Sequence, residues 1–234
     1  MKFNNFQQYL SIPRVGRYLA ACSNDRRRCV KLYKSNLKVA QSFHPILGIF
    51  EVVIRNAINE ELATFFADPD WIINQKTGFM VDPILTYTKR TGKVVSNRFL
   101  LHSVRDAENK LIRKGIIVTS GRIISEQSFS FWTELYENYH YKILKGRPIK
   151  IFKNLPSNFG RNQVLAELTK IRKFRNRVNH NEPICFSGGH IDFSNTIGVY
   201  NSIRNILSWI DPTLLHLVKG LDKIHLTIAK AQAI

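Results

Sequence analysis

The apolar positions of this chain recur mainly at helical intervals. In the segment from His44 to Phe66, Ile46, Ile49, Phe50, Val53, Ile54 and Ala57 share one face, which predicts a helix from about Lys31 to Phe66. Glu51, Arg55 and Asn59 follow each other at four-residue steps on the other side and read as a solvated face with one weak ion pair. Phe131, Leu135, Tyr139 and Ile143 predict a second helix across "SFSFWTELYENYHYKIL", its aromatics serving as core or as stacking platforms for bases. Val164, Leu168, Ile171 and Val178 line a third, beginning near Asn162 and stopped by Pro183. Tyr200, Ile203, Leu207 and Ile210 mark the next. Asp211-Pro212 forms an N-cap and first turn for a last helix carrying Leu215, Val218, Leu221 and Ile228.

Between these stretches the pattern breaks. Residues 1–30 are punctuated by Pro13 and Gly16, and "NDRRRC" is a basic loop or a helix start. Residues 67–100 hold Asp68-Pro69, Gly78, Asp82-Pro83 and Gly92 and read as loops around short helices. Ser103 to Gly115 reads as a helix with a glycine stop. Ile116 to Ile124 is β-branched around Ser120-Gly121 and admits one short hairpin. Cys185 to Asn195 is a turn-rich connector. There is no internal repeat. The expected architecture is one all-α domain with loop decorations.

Composition narrows the partners. Thirty-five Lys and Arg stand against 17 Asp and Glu, a net charge of +18, which favours a polyanion: nucleic acid first, an acidic membrane surface second. Cys22, Cys29 and Cys185 are odd in number and lack metal-site or disulfide spacing, so free thiols and a cytoplasmic location are expected. The N-terminus lacks the apolar run of a signal peptide, and no stretch of eighteen apolar residues predicts a membrane span.

The third helix ends unusually, in "IRKFRNRVNHNEP". Arg175 comes four residues after Ile171 and three before Val178, within the apolar stripe, where a desolvated guanidinium requires a partner. Asn176 precedes His180 by four residues, so the two share a face near the helix C-terminus. One reading is structural: an arginine paired with a core carboxylate and a histidine closing a helix. The other is a site for a phosphate.

"RNRVNH" matches the Arg-(Asn/Asp/His)-x-x-x-His signature of the HEPN superfamily, and "KFRNRVNHNEPI" resembles the corresponding segment of Abi-like abortive-infection proteins of bacteria. Leu32 to Leu62 resembles that family's first block, with an Asn near its start and a Glu-x-x-x-Arg-Asn, here Glu51, Arg55 and Asn56. Ser128 to Tyr136 resembles its "SFGFW" block, with Ser130 in place of the usual Gly. Asn181 stands where a second His often follows the motif. The resemblance divides the chain into an N-terminal extension (1–30), a family-like core (31–184) and C-terminal helices (196–234) of one HEPN-type helical bundle.

The resemblance implies a homodimer whose motif helices meet at a two-fold, and an endoribonuclease that needs no metal or other cofactor. Two copies of His180 would serve as base and acid, Arg175 would clamp the phosphate, and Asn176 would orient it or the His. Arg177, Arg172 and Lys173 would add backbone contacts to RNA, and Glu51, Arg55 and Asn56 would form a supporting layer. The expected role is a toxin of phage defence or of a toxin–antitoxin pair, restrained by a noncoding RNA or a protein. The competing reading keeps the fold as a non-cleaving RNA-binding protein that holds a structured noncoding RNA. A DNA-binding regulator is weaker, since no helix-turn-helix with a basic recognition helix is visible. The seven histidines are scattered, with no His-x-x-x-His pair, no Walker loop and no Gly-x-Ser-x-Gly elbow.

Overall fold

The long helix begins at Arg26 because Asp25 caps it: its Oδ1 accepts the backbone N–H groups of Arg27 at 2.8 Å and Arg28 at 3.0 Å. "NDRRRC" is therefore a helix start. A computed structural model describes all 234 residues, and the protein is mostly helical. In chain order the elements begin with α1 (Phe3–Leu10), α2 (Ile12–Ala21), α3 (Arg26–Phe66) and α4 (Trp71–Asn74). Strands β1 (Thr86–Thr88) and β2 (Val94–Ser96) follow, then α5 (Phe99–Arg113), α6 (Ser120–Glu126), α7 (Phe129–Glu134), α8 (Asn138–Ile143) and α9 (Arg161–Asn179). After β3 (Phe186–Ser187) and β4 (His190–Ile191) come α10 (Ser194–Ile210), α11 (Leu215–Lys219) and α12 (Ile224–Gln232).

The chain divides into two compact units. The first holds Met1–Phe50, Lys170–Ser208 and Pro212–Ile234; the second holds Glu51–Thr169 and Trp209–Asp211. In the first, α3 buries Cys29, Leu32, Asn36, Val39 and Phe43 along one stripe. Phe43 meets Phe174 of α9 with ring centroids 4.7 Å apart, a contact worth roughly 0.5–1.5 kcal/mol beyond its burial. Tyr33 packs edge-on to Phe6 and Tyr18. Lys170 of α9 reaches α10, its Nζ donating to Ser202 Oγ at 2.9 Å. The three cysteines are free and buried.

In the second unit Ile54, Ile58 and Leu62 continue the buried face of α3. Asn59, expected on a solvated face, is half-buried and accepts the Trp71 indole N–H at 2.9 Å. Phe66 stacks on both Trp71 and Phe79. Part of α3 has the length and apolar composition of a membrane-crossing helix. The same helix also carries the buried stripe just described.

Three expectations about elements are corrected. Ile116–Ile124 is not a hairpin. Ser120-Gly121 opens α6, because Thr119 acts as its N-cap, Oγ1 accepting from Arg122 N, and the Ser120 hydroxyl bonds Asp70. Capping outweighs the β-branched run, which leaves Ile117 exposed while Ile123 and Ile124 are buried. The hairpins lie elsewhere. β1 pairs with β2 in the register Thr86–Ser96, Tyr87–Val95 and Thr88–Val94, and β3 with β4 across Gly188-Gly189.

The helix expected through Tyr139 is two helices, α7 and α8. Tyr136 sits at the break, fully buried, and donates its hydroxyl to the Pro148 carbonyl at 2.9 Å while its own carbonyl accepts from Arg161. The buried positions then shift by one, to Tyr136, His140 and Leu144. The last expected helix is likewise broken, into a 3₁₀ turn at Pro212–Leu214, α11 and α12, and Leu221 is exposed.

Candidate functional site

The apolar face of α9 is Val164, Leu168, Ile171, Phe174 and Val178, all buried. Phe174 completes the stripe, and Arg175, which falls within its arc at helical spacing, is half-buried. With the Asn179 amide turned so that its oxygen faces the guanidinium, Asn179 accepts from Arg175 Nε at 3.3 Å and Nη1 at 3.2 Å. One turn separates these residues, and one turn also separates Asn176 from His180. At roughly 100° per residue, the four side chains Arg175, Asn176, Asn179 and His180 spread over an arc of about 140°. Two turns of helix thus present one guanidinium, two amides and one imidazole.

The helix closes in a Schellman arrangement. Glu182 N–H donates to Arg177 O at 2.8 Å and Asn181 N–H to Val178 O at 3.1 Å. This needs a left-handed residue between them, and Asn181 supplies it at φ 52°. Asparagine tolerates that region better than most side chains. Asn181 is therefore the helix terminator here. His180 becomes the last residue before the turn, exposed, with its N–H still bonded to Asn176 O at 3.0 Å. Asn176 is exposed too.

Arg177 is held inside this cap. Its Nη2 donates to the Pro183 carbonyl, and its Nε lies 3.5 Å from Glu182 Oε2. It shapes the turn that carries His180. Arg172 is half-buried beside the apolar arc, and Lys173 is exposed.

The segment beyond the cap is fixed from several sides. Ile184 N–H donates to Asn36 Oδ1 at 2.8 Å, and its carbonyl accepts from Thr196 Oγ1 at 2.5 Å. Arg14 of α2 donates to the Asn181 carbonyl at 3.1 Å, and Arg17 to the Gly188 carbonyl at 3.0 Å while lying over Phe186. Burial pushes the Cys185 thiol up to about 12, which keeps it protonated and out of nucleophilic chemistry. No three His, Cys, Asp or Glu side chains are grouped as metal ligands.

The structure therefore brings Arg175, Asn176 and His180 onto adjoining turns of one helix end. Glu51, Arg55 and Asn56 lie on the part of α3 in the second unit, where Arg55 is half-buried, its Nε without a hydrogen-bond partner, and Asn56 is exposed. Sequence reasoning pointed to Asn36, the Asn near the start of the Leu32–Leu62 block, without giving it a partner, and it missed Asn179 and Arg14. Asn179 was detectable as a second four-residue polar pair, and Asn36 as a polar residue inside the α3 stripe. Arg14 carries no local signal, because its partner is 167 positions away. Protein-family models, characterised proteins and solved structures show no match to this chain.

Proposed function

We propose that this chain is a metal-independent endoribonuclease of the HEPN, Abi-like kind, acting in the cytoplasm as a restrained toxin of phage defence or of a toxin–antitoxin pair. The observation that carries the reading is the end of α9: Asn176 and His180, exposed one turn apart, beside Arg175 directed by Asn179. A histidine retained only to close a helix would be expected to spend its ring on a backbone carbonyl. Here the cap is made by the backbone of Asn181 and Glu182 and by Arg177, and the imidazole is left over. A net charge of +18 suits RNA as substrate and as restraint.

The chemistry follows from the groups. An RNA 2′-OH loses its proton to one His180 as its oxygen attacks the adjacent phosphorus. The P–O5′ bond breaks, and the leaving oxygen takes a proton from a second His180. Arg175 supplies paired donors to the phosphoryl oxygens as charge builds on them. A homodimer that places two α9 ends together provides both histidines. The products are a 2′,3′-cyclic phosphate and a 5′-hydroxyl.

The test is cleavage of single-stranded RNA in excess EDTA, with end-group analysis of the fragments. Cyclic phosphate ends with DNA left intact support the proposal. Tight RNA binding without any cleavage favours the non-catalytic reading, in which the same groups hold a structured noncoding RNA. Cleavage that requires magnesium overturns the mechanism.

A further inference from the structure

We infer that the β1–β2 hairpin is a second RNA-contacting element, which grips the phosphate backbone of a folded RNA without reading its bases. The hairpin lies wholly in the second unit. Its turn is built from Lys89 to Lys93. Gly92 N–H donates to Lys89 O at 2.9 Å, Lys89 N–H to Lys93 O at 2.9 Å, and Gly92 has φ 78°. This is a β-turn closed by a left-handed residue, a compact loop that favours glycine there. It packs Lys89, Arg90 and Lys93 into five residues, all exposed. None of the three takes part in an ion pair or a cation–π contact, and the strand residues 86–96 contain no Asp or Glu.

Like charges gathered on one turn repel each other, and the turn itself carries no carboxylate to offset that. A bound polyanion offsets it. The stem is rigid enough to present them: Tyr87 stacks on Tyr139 of α8 at 4.9 Å and 15°, Thr86 Oγ1 bonds Ser96 Oγ at 2.9 Å, and Asn97 N–H bonds Leu85 O at 2.8 Å. On α8, Lys142 lies one turn from Tyr139 and is exposed, adding a cation to the same neighbourhood. Two carboxylates stand near this helix start: Glu137, its N-cap, and Glu134, whose Oε1 accepts from Asn97 at the foot of the hairpin at 2.8 Å.

The choice of backbone over bases follows from the side chains. Base-reading of single strands uses exposed aromatic rings. The turn has none, and the nearby ring of Tyr87 is committed to Tyr139. Lysine and arginine on a narrow, firm ribbon suit a row of phosphates. The inference rests on the reading of this chain as an RNA-binding protein.

The experiment measures affinity across a salt series for a 2′-O-methyl RNA stem-loop, which keeps the phosphates and cannot be cut through its 2′ oxygen. The full-length protein is compared with K89A/R90A/K93A and with a charge-matched control, K114A/K219A/K230A. Each phosphate that a variant no longer neutralises lowers the slope of log K against log salt by roughly 0.7–0.9, so the hairpin variant is expected to drop by about 2–3 and the control by nearly nothing. In parallel, acetylation of the unmodified protein is followed by mass spectrometry. RNA is expected to protect Lys89 and Lys93, a readout independent of any variant's folding. Equal slopes for the hairpin variant and the wild type, equal drops in both triple variants, or lysines labelled equally with and without RNA each overturn the hairpin proposal. Wild-type protein that shows no salt-dependent RNA binding overturns the RNA reading itself. Protection of these lysines by a polyglutamate peptide and not by RNA would assign the hairpin to an acidic protein instead.

Discussion

The Asn36 side-chain oxygen accepts the backbone N–H of Ile184 at 2.8 Å, joining positions 148 residues apart. Asn36 is buried within an otherwise apolar stripe of α3, and Ile184 follows directly on the turn that ends α9. A polar side chain in that stripe is tolerated because it satisfies a backbone donor that would otherwise be buried without a partner. Replacing Asn36 by Ala leaves that N–H unpaired in the core, and we expect a loss of about 1–3 kcal/mol in urea unfolding. Because the same bond anchors the segment after His180, activity should fall at temperatures where the variant remains folded. An unchanged midpoint would show that Ile184 is held by Thr196 and the neighbouring packing alone.

Asn181 offers a test of the helix end that leaves the polar side chains in place. Its φ of 52° suits glycine best and asparagine next. Asn181→Gly should keep or slightly raise stability, and Asn181→Val should cost about 1–2 kcal/mol by forcing a β-branched residue into the left-handed region. The Arg14 bond uses the main-chain carbonyl and survives both changes. If valine were tolerated at no cost in thermal unfolding, the left-handed termination of α9 would be wrong.

Much of this arrangement was legible in the sequence, and what escaped has physical reasons. The helical stripes of α3, α9 and α10 are long and regular, so periodicity located them. Phe174 was overlooked in the α9 stripe because Arg175 also falls at the expected spacing, and only packing shows which of the two is buried. The α7–α8 break depends on Tyr136 reaching Pro148, and the α6 start depends on Thr119 and Asp70; neither contact has a periodic signature. The β1–β2 hairpin rests on two three-residue strands, too short for alternation to register. At the candidate site, the four-residue steps gave Asn176 with His180, whereas the anchors of the following segment, Asn36, Thr196 and Arg14, come from distant sequence.

His140 makes stability depend on pH. It is buried in the second unit, 3.5 Å from Glu134 Oε1, an oxygen that already accepts from Asn97 at 2.8 Å. Neither ring nitrogen has a hydrogen-bond partner. Burial dominates and lowers its pKa from 6.5 to about 4. The unfolded chain then binds a proton at higher pH than the folded one. The neutral ring's contribution is fully present above about 6.5 and is lost as pH falls from there towards 4. Urea midpoints should decline across that window, and His140→Leu should flatten the decline. A His140→Leu protein with the wild-type pH dependence would assign it to other groups.

The decisive contrast is between His180 and Arg177, two residues three positions apart with different surroundings, to which the proposed function gives different duties. The His180 imidazole is exposed, while Arg177 binds the Pro183 carbonyl and faces Glu182 within the turn. His180→Ala should therefore unfold at the wild-type urea concentration yet cut RNA about 10²–10⁴-fold more slowly, the usual worth of acid–base help. Its affinity for uncleavable RNA should change little. Arg177→Ala should instead lower stability, because the cap loses a charge-assisted bond, and its cleavage defect should shrink on cooling as the turn re-forms. In a dimer whose shared site uses both histidines, mixing His180→Ala with Arg175→Ala protein should restore little activity, because each mixed dimer keeps only one His180. Destabilisation of the fold by His180→Ala would return that residue to a structural role, and cutting at the wild-type rate would remove it from the chemistry.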